Sequence, residues 1–152
     1  GIDTAAHGAA LDAGAKTIVV LPQGLLSYGA SRGLADAIED GRAALLSQFL
    51  PDAAWTVGAA VARNETIAAL SRVVYVIEPG SAGGSAKTGQ DAMNQGKPVM
   101  VYEGVDARKT GRALMQRGAK PLLGPDGRLT EEYLDEIWAA ASGHEQQQGE
   151  LL

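Results

Sequence analysis

The chain has no cysteine, one phenylalanine and only two histidines. Without thiols there is neither a disulfide framework nor a thiolate metal site. His7 and His144 lie far apart, and His144 sits in a polar tail, so a histidine zinc site is not expected. No apolar run reaches the ~18 residues that a membrane-crossing helix needs. The N-terminus lacks a basic segment followed by an apolar one, the mark of a secretory leader. These absences predict a cytoplasmic protein with no membrane partner. Lysine and arginine are missing from residues 129–152, which carry six acidic side chains.

What is present is a globular composition. Of the 152 residues, 45% are hydrophobic, enough for one domain with a real core. The expected organisation is a single domain over 1–142 followed by a flexible polar tail over 143–152. Net charge is −5, but it is unevenly spread. Residues 64–128 carry a net charge of +3, with Lys97, Arg108, Lys109, Arg112, Arg117 and Lys120 close together. Local charge decides where a polyanion docks, so the acidic total does not exclude one.

Helix and strand signals alternate. Asp3 or Thr4 is placed to cap an alanine-rich helix that Gly14 ends. The run 17–21 is apolar, β-branched and closed by Pro22, which predicts a buried strand. Ser31 opens a helix closed by Gly41, and 44–47 reads as a weaker strand. A helix is expected over 57–70, then the strongest strand over 73–77. Ser85 opens a helix that ends before Gly96, followed by a strand over 98–102. A basic helix over 107–116, a short strand over 121–123 and an amphipathic helix from Thr130 through Tyr133, Leu134 and Ile137 complete the chain. Apolar strands alternating with helices predict an α/β fold: an open, mostly parallel sheet flanked by helices. The turn Gly1-Ile2-Asp3 reads as the end of a strand-to-helix loop, so a first strand is expected upstream.

In such sheets ligands sit beyond the carboxyl ends of the strands. One such end carries Pro22-Gln23-Gly24, another the long glycine-rich loop from Glu78 to Thr88, a third Glu103-Gly104. In the second, Gly83 and Gly84 let backbone approach an anion, and the helix amides, Ser85 and Thr88 would face phosphate oxygens. Lys87 adds charge. The segment 81–88 falls on the phosphate-loop pattern G-x-x-x-x-G-K-[ST], but Ser81 and Ala86 replace both glycines. No strand ends in an aspartate for magnesium, and the G-x-G-x-x-G pattern of dinucleotide sites is absent. No cofactor is expected. Arg63 and Asn64 precede the apolar face of a helix. Arginine near a helix start gains nothing from the helix dipole, so an anion in the cleft is its natural partner. His7, one turn into the first helix, reads as a packing or capping residue. No nucleophile–base set emerges, so the chain is not expected to be an enzyme.

Taken in order, these stretches resemble one family. Gly1-Ile2-Asp3-Thr4-Ala5-Ala6-His7, the strand 17–21 with Gly24-Leu25, Leu45-Leu46-Ser47, Arg63-Asn64 with 67–71, Gly84-Ser85 with Thr88, 99–101 with Gly104, and Arg117-Gly118-Ala119-Lys120 match the Rossmann-like domain of the DprA/Smf DNA-processing family. The likeness covers about residues 1–138. It implies a domain that binds single-stranded DNA in a basic pocket during recombination and DNA uptake. A RecA-type recombinase and a second copy of the chain are further candidate partners. The residues it assigns to phosphate and base are Gly1, Asp3, Arg63, Asn64, Gly83, Gly84 and Ser85; the strand-end loops add Gln23, Gly24, Lys87 and Thr88 to the expected site. Three features depart from the family pattern. Glu65 stands where a second arginine is usual, 58–62 lacks the usual aromatic and proline residues, and the strand and loop before Gly1 are absent.

Two other readings share this fold. One is a sensor of a nucleotide or nucleotide derivative. The other is a nucleotide phosphoribohydrolase, whose Pro-Gly-Gly-x-Gly-Thr-x-x-Glu signature fails here because Ser81 follows Pro79-Gly80 and no glutamate follows Thr88 at the needed spacing.

Overall fold

The computed structural model describes residues 1–77, 79, 84–102, 108–123, 127–129, 131–135 and 137–139. The expectations placed on Glu78, Gly83, Glu103, Gly104, Thr130 and the tail 143–152 lie outside them. The chain divides into two compact units, Gly1–Arg63 and Asn64–Leu152.

The first unit holds α1 (Ile2–Asp12), β1 (Thr17–Val20), α2 (Arg32–Glu39), β2 (Ala43–Leu46) and the start of α3 (Val57–Leu70). Strands β1 and β2 pair in parallel, with Thr17 opposite Ala43. Buried Val20, Leu21, Ala37 and Ala43 form its interior. The second unit holds the rest of α3, then β3 (Val74–Ile77), α4 (Gly84–Asn94), β4 (Val99–Tyr102), α5 (Arg108–Gln116) and β5 (Lys120–Pro121). Its three strands are all parallel, in the order β3-β4-β5. Its core is built on Ala68, Val74, Val76, Ala92, Val99, Val101, Leu114 and Ala119. Residues 131–135 and 137–139 are helical, as the amphipathic pattern predicts.

One device delivers the chain from helix to strand four times. Gly14, Gly41, Gly96 and Gly118 have φ of 73°, 68°, 72° and 109°. After each, the next amide bonds back to a carbonyl five residues earlier: Ala15 to Ala10, Arg42 to Ala37, Lys97 to Ala92 and Ala119 to Leu114. This is the glycine-closed helix end, in which a left-handed residue satisfies the last carbonyls and reverses the chain. A strand follows within a few residues. Helix α3 ends differently: Ser71 Oγ donates to the Ile67 carbonyl at 2.7 Å.

Two details differ from the sequence reading. Neither Asp3 nor Thr4 caps α1. The helix begins two to three residues earlier, on Gly1, whose carbonyl accepts from Ala5, and Asp3 sits inside the first turn. The last strand is Lys120–Pro121 rather than 121–123, although the Leu122 amide still reaches the Val101 carbonyl at 2.7 Å.

Strand periodicity decides which backbone groups each sheet leaves over. Thr17 and Leu21 donate to Arg42 and Leu46, so the odd residues of β1 face β2. The even residues, Ile18 and Val20, aim their amides and carbonyls the other way. In β5 the same logic turns Pro121 away from β4, where its missing N–H costs nothing. Side chains take up both spare carbonyls: Arg63 donates to Val20 and the Tyr133 hydroxyl to Pro121.

Candidate functional site

In the first unit, the side chains of α1 and the loop after β1 meet Arg63. Helix α3 carries Arg63 two turns from its start, where it is only 16% exposed. Nη1 donates to the Val20 carbonyl at 3.0 Å and to Asp3 Oδ2 at 3.3 Å. Nε is buried and has no partner. A guanidinium carries five donors, so this one retains capacity after both bonds. It lines a cavity of about 600 Å³ together with Asp3, Thr4, His7, Leu21 and Tyr28. That volume lies within the usual range of ligand pockets. Arg42 lines the same cavity, with Nη1 on the Leu11 carbonyl at 3.4 Å and an ion pair to Asp40 at 3.6 Å. The sequence reading passed over Arg42. Its only signal was its position directly after Gly41, the left-handed residue that ends α2. His7 shares a hydrogen bond of 2.7 Å with Thr17 Oγ1, pinning α1 to the start of β1. That is the packing role expected for it.

Gln23 and Gly24 hold the turn after β1. The Gln23 side-chain Nε2 donates to the Ser27 carbonyl, and the Gln23 backbone carbonyl accepts from Ser47 Oγ. The Gly24 amide donates to Ala53 at 2.9 Å. A Cβ on Gly24 would fall 2.2 Å from the carbonyl oxygens of both Leu50 and Pro51. Glycine is required there by the backbone of 50–51, and the loop is filled by protein.

The second unit holds the other predicted group. Gly84 opens α4, and a Cβ there would stand 3.2 Å from Asn64 Nδ2. Asn64 therefore lies beside the first amide of the helix, where the positive end of the dipole and the unbonded N–H groups collect. Ser85 is exposed on the same turn. Thr88 turns inward: Oγ1 donates to the Gly84 carbonyl at 2.9 Å. Lys87 is held by Asp91, one turn on, and by Glu65 at 3.4 Å. The Asp91 hydrogen bond is the main reason its pKa lies above the ordinary lysine value. Lys87 is thus committed to carboxylates, while Asn64, Gly84 and Ser85 form the open part of this group. Among the described residues no cluster of three acidic or histidine side chains could hold a metal ion. None of their helices is long and apolar enough to cross a membrane.

Known proteins carry the same pattern. A DNA processing protein DprA from Streptococcus pneumoniae is 39% identical over 125 residues, covering 79% of this chain and 44% of that protein. The protein Smf of Escherichia coli is 35% identical over 106 residues, covering 68% and 28%. The chain therefore spans less than half the length of these curated relatives. The crystal structure of the pneumococcal DprA superposes with a TM-score of 0.67 at 35% identity, over 80% of this chain and 44% of that one. The DNA processing protein A of Helicobacter pylori, whose structure concerns its single-stranded DNA binding mode, shares the fold. Its TM-score is 0.56 at 22% identity, over 70% and 51% of the two chains. The Rossmann-like parallel arrangement read from the sequence is thus the one seen in these relatives. With the model of DNA recombination-mediator protein A matching residues 1–132, from the Gly1-Ile2-Asp3 turn past β5, the chain belongs to that family.

Proposed function

We propose that this domain binds single-stranded DNA as a non-enzymatic recombination-mediator module, with Arg63 as a phosphate contact. One observation carries the reading. Arg63 is anchored by Val20 and Asp3 on the wall of a large cavity, yet its buried Nε has no acceptor. Only two of the five guanidinium N–H donors are taken, and a phosphate oxygen entering the cavity would meet the charge and the donors that remain. In the second unit, the α4 N-terminus with Gly84, Ser85 and Asn64 supplies amides suited to a second phosphate. Single strands are held in this way, by a charged track and backbone donors with little reading of bases. In the whole protein, a RecA-type recombinase and a second copy of the chain are the partners this role calls for.

The test is a titration of labelled oligothymidylate by fluorescence anisotropy at salt concentrations from ~50 to ~200 mM. Binding should weaken steeply with salt, and Arg63→Ala should reduce the log–log slope by about 0.7, one phosphate contact to a single strand. Absent or salt-independent binding, or thermal stabilisation by a mononucleotide and none by the oligonucleotide, overturns the reading.

A further inference from the structure

The second unit has a cavity at the opposite end of its sheet. It has a volume of about 350 Å³ and lies where β4 and β5 begin, between the end of α4 and the end of α5. Its floor is apolar: Val99, Met100 and Ile137 are at most 4% exposed. Its rim is cationic, formed by Lys97, Arg117 and Lys120. The glycine-closed helix ends place all three. Lys97 follows Gly96 with its amide bonded to Ala92, and Arg117 and Lys120 flank the turn at Gly118 and Ala119. Tyr133 forms the remaining wall, fixed by its hydroxyl on the Pro121 carbonyl.

Among the described residues none of the three cations has an ion pair, although the neighbouring helical turn carries Glu131, Glu132 and Asp135. Lys97 is half-buried on the rim, and Arg117 and Lys120 are exposed. Three like charges around an apolar floor repel one another, and an anion with an apolar body complements both. Tyr133, its hydroxyl held by the Pro121 carbonyl, is the aromatic wall of the cavity, and aromatic side chains are the usual neighbours of a bound base.

We infer that this cavity is a nucleotide-binding site, taking phosphate on Lys97, Arg117 and Lys120 and the base beside Tyr133, over the floor that Val99, Met100 and Ile137 form. It is independent of Arg63 and of the α4 N-terminus, which follows the carboxyl end of β3. The nucleotide is either free or one unit of a DNA strand.

The experiment uses 8-azido-dAMP as a photolabel on the intact chain, with the labelled peptides mapped by mass spectrometry. Unlabelled dAMP, oligodeoxyadenylate and inorganic phosphate serve as competitors. Label should enter the peptides of 93–100 or 117–138. Arg117→Gln with Lys120→Gln, both exposed positions, should reduce labelling at least tenfold with circular dichroism unchanged, while Arg63→Ala leaves it intact. Competition by dAMP alone identifies a free nucleotide, and stronger competition by the oligonucleotide identifies a strand. Label confined to residues 1–63, no saturable label, or full labelling of the double variant overturns the inference. Because Arg63→Ala is assayed beside it, failure here is distinguishable from failure of the Arg63 contact.

Discussion

Arg63 Nη1 lies 3.0 Å from the Val20 carbonyl oxygen, on the side of β1 that β2 does not use. The guanidinium thereby ends a strand edge as well as lining a cavity, and the two roles can be separated by mutation. Arg63→Ala strips the acceptor of its donor and should destabilise the chain by about 1–3 kcal/mol, the cost of a partly buried group left without its charged partner. Asp3→Asn should cost less than about 1 kcal/mol, because the aspartate is 64% exposed and its bond to Arg63 is long. On oligonucleotide binding the two should act in opposite directions. Removing the arginine weakens it, and removing a carboxylate that competes with phosphate for the same Nη1 strengthens it. Urea unfolding and anisotropy on both variants check this; equal effects of the same sign would contradict it.

The glycines divide into classes whose substitutions should move stability in opposite directions. Gly41 has φ 68° with open space around it, so Gly41→Ala meets only backbone strain, about 1–2 kcal/mol. Gly24 has no room: its Cβ would meet two backbone oxygens, and Gly24→Ala should cost at least as much, about 1–3 kcal/mol. Gly8 is interior to α1 with nothing within 4 Å, so Gly8→Ala should stabilise by about 0.5–1 kcal/mol. Chemical denaturation of the three variants gives the order directly. Destabilisation by Gly8→Ala would mean that position 8 of α1 lacks the open space shown around it.

How much of this was legible beforehand follows the range of the interactions. Strand runs such as Val74 to Ile77 and helix ends at Gly14, Gly41 and Gly96 are local signals, and each element lies within a few residues of its expected place. Side-chain commitments are not local. Nothing in the spacing announces that Lys87 reaches Glu65 on another helix, or that Gly24 is a glycine for the sake of Leu50 and Pro51. Asp3 illustrates the difference. Its position before an alanine-rich stretch suggested a cap, but the helix starts earlier and frees the carboxylate for an arginine sixty positions away. The cations at 97, 117 and 120 read as part of one basic stretch. Only the parallel pairing of β4 with β5 brings them around a common cavity.

Glu65 is the residue whose replacement most directly tests the second unit. It follows Asn64, which lies beside Gly84, and its carboxylate stands 3.4 Å from Lys87 Nζ. Both features oppose an approaching phosphate: one repels it, the other occupies a cation. Glu65→Arg reverses the charge and releases Lys87 to Asp91 alone. Single-strand affinity should rise several-fold at low salt and converge on the parent value at high salt, as screened electrostatics requires. The log–log salt slope should steepen by about 0.7 if the new arginine meets a phosphate. Glu39→Arg, an exposed position on α2, makes the same change in net charge and is the control. A gain at position 65 matched at position 39 would show that net charge alone is acting and would remove the α4 N-terminus from the binding surface.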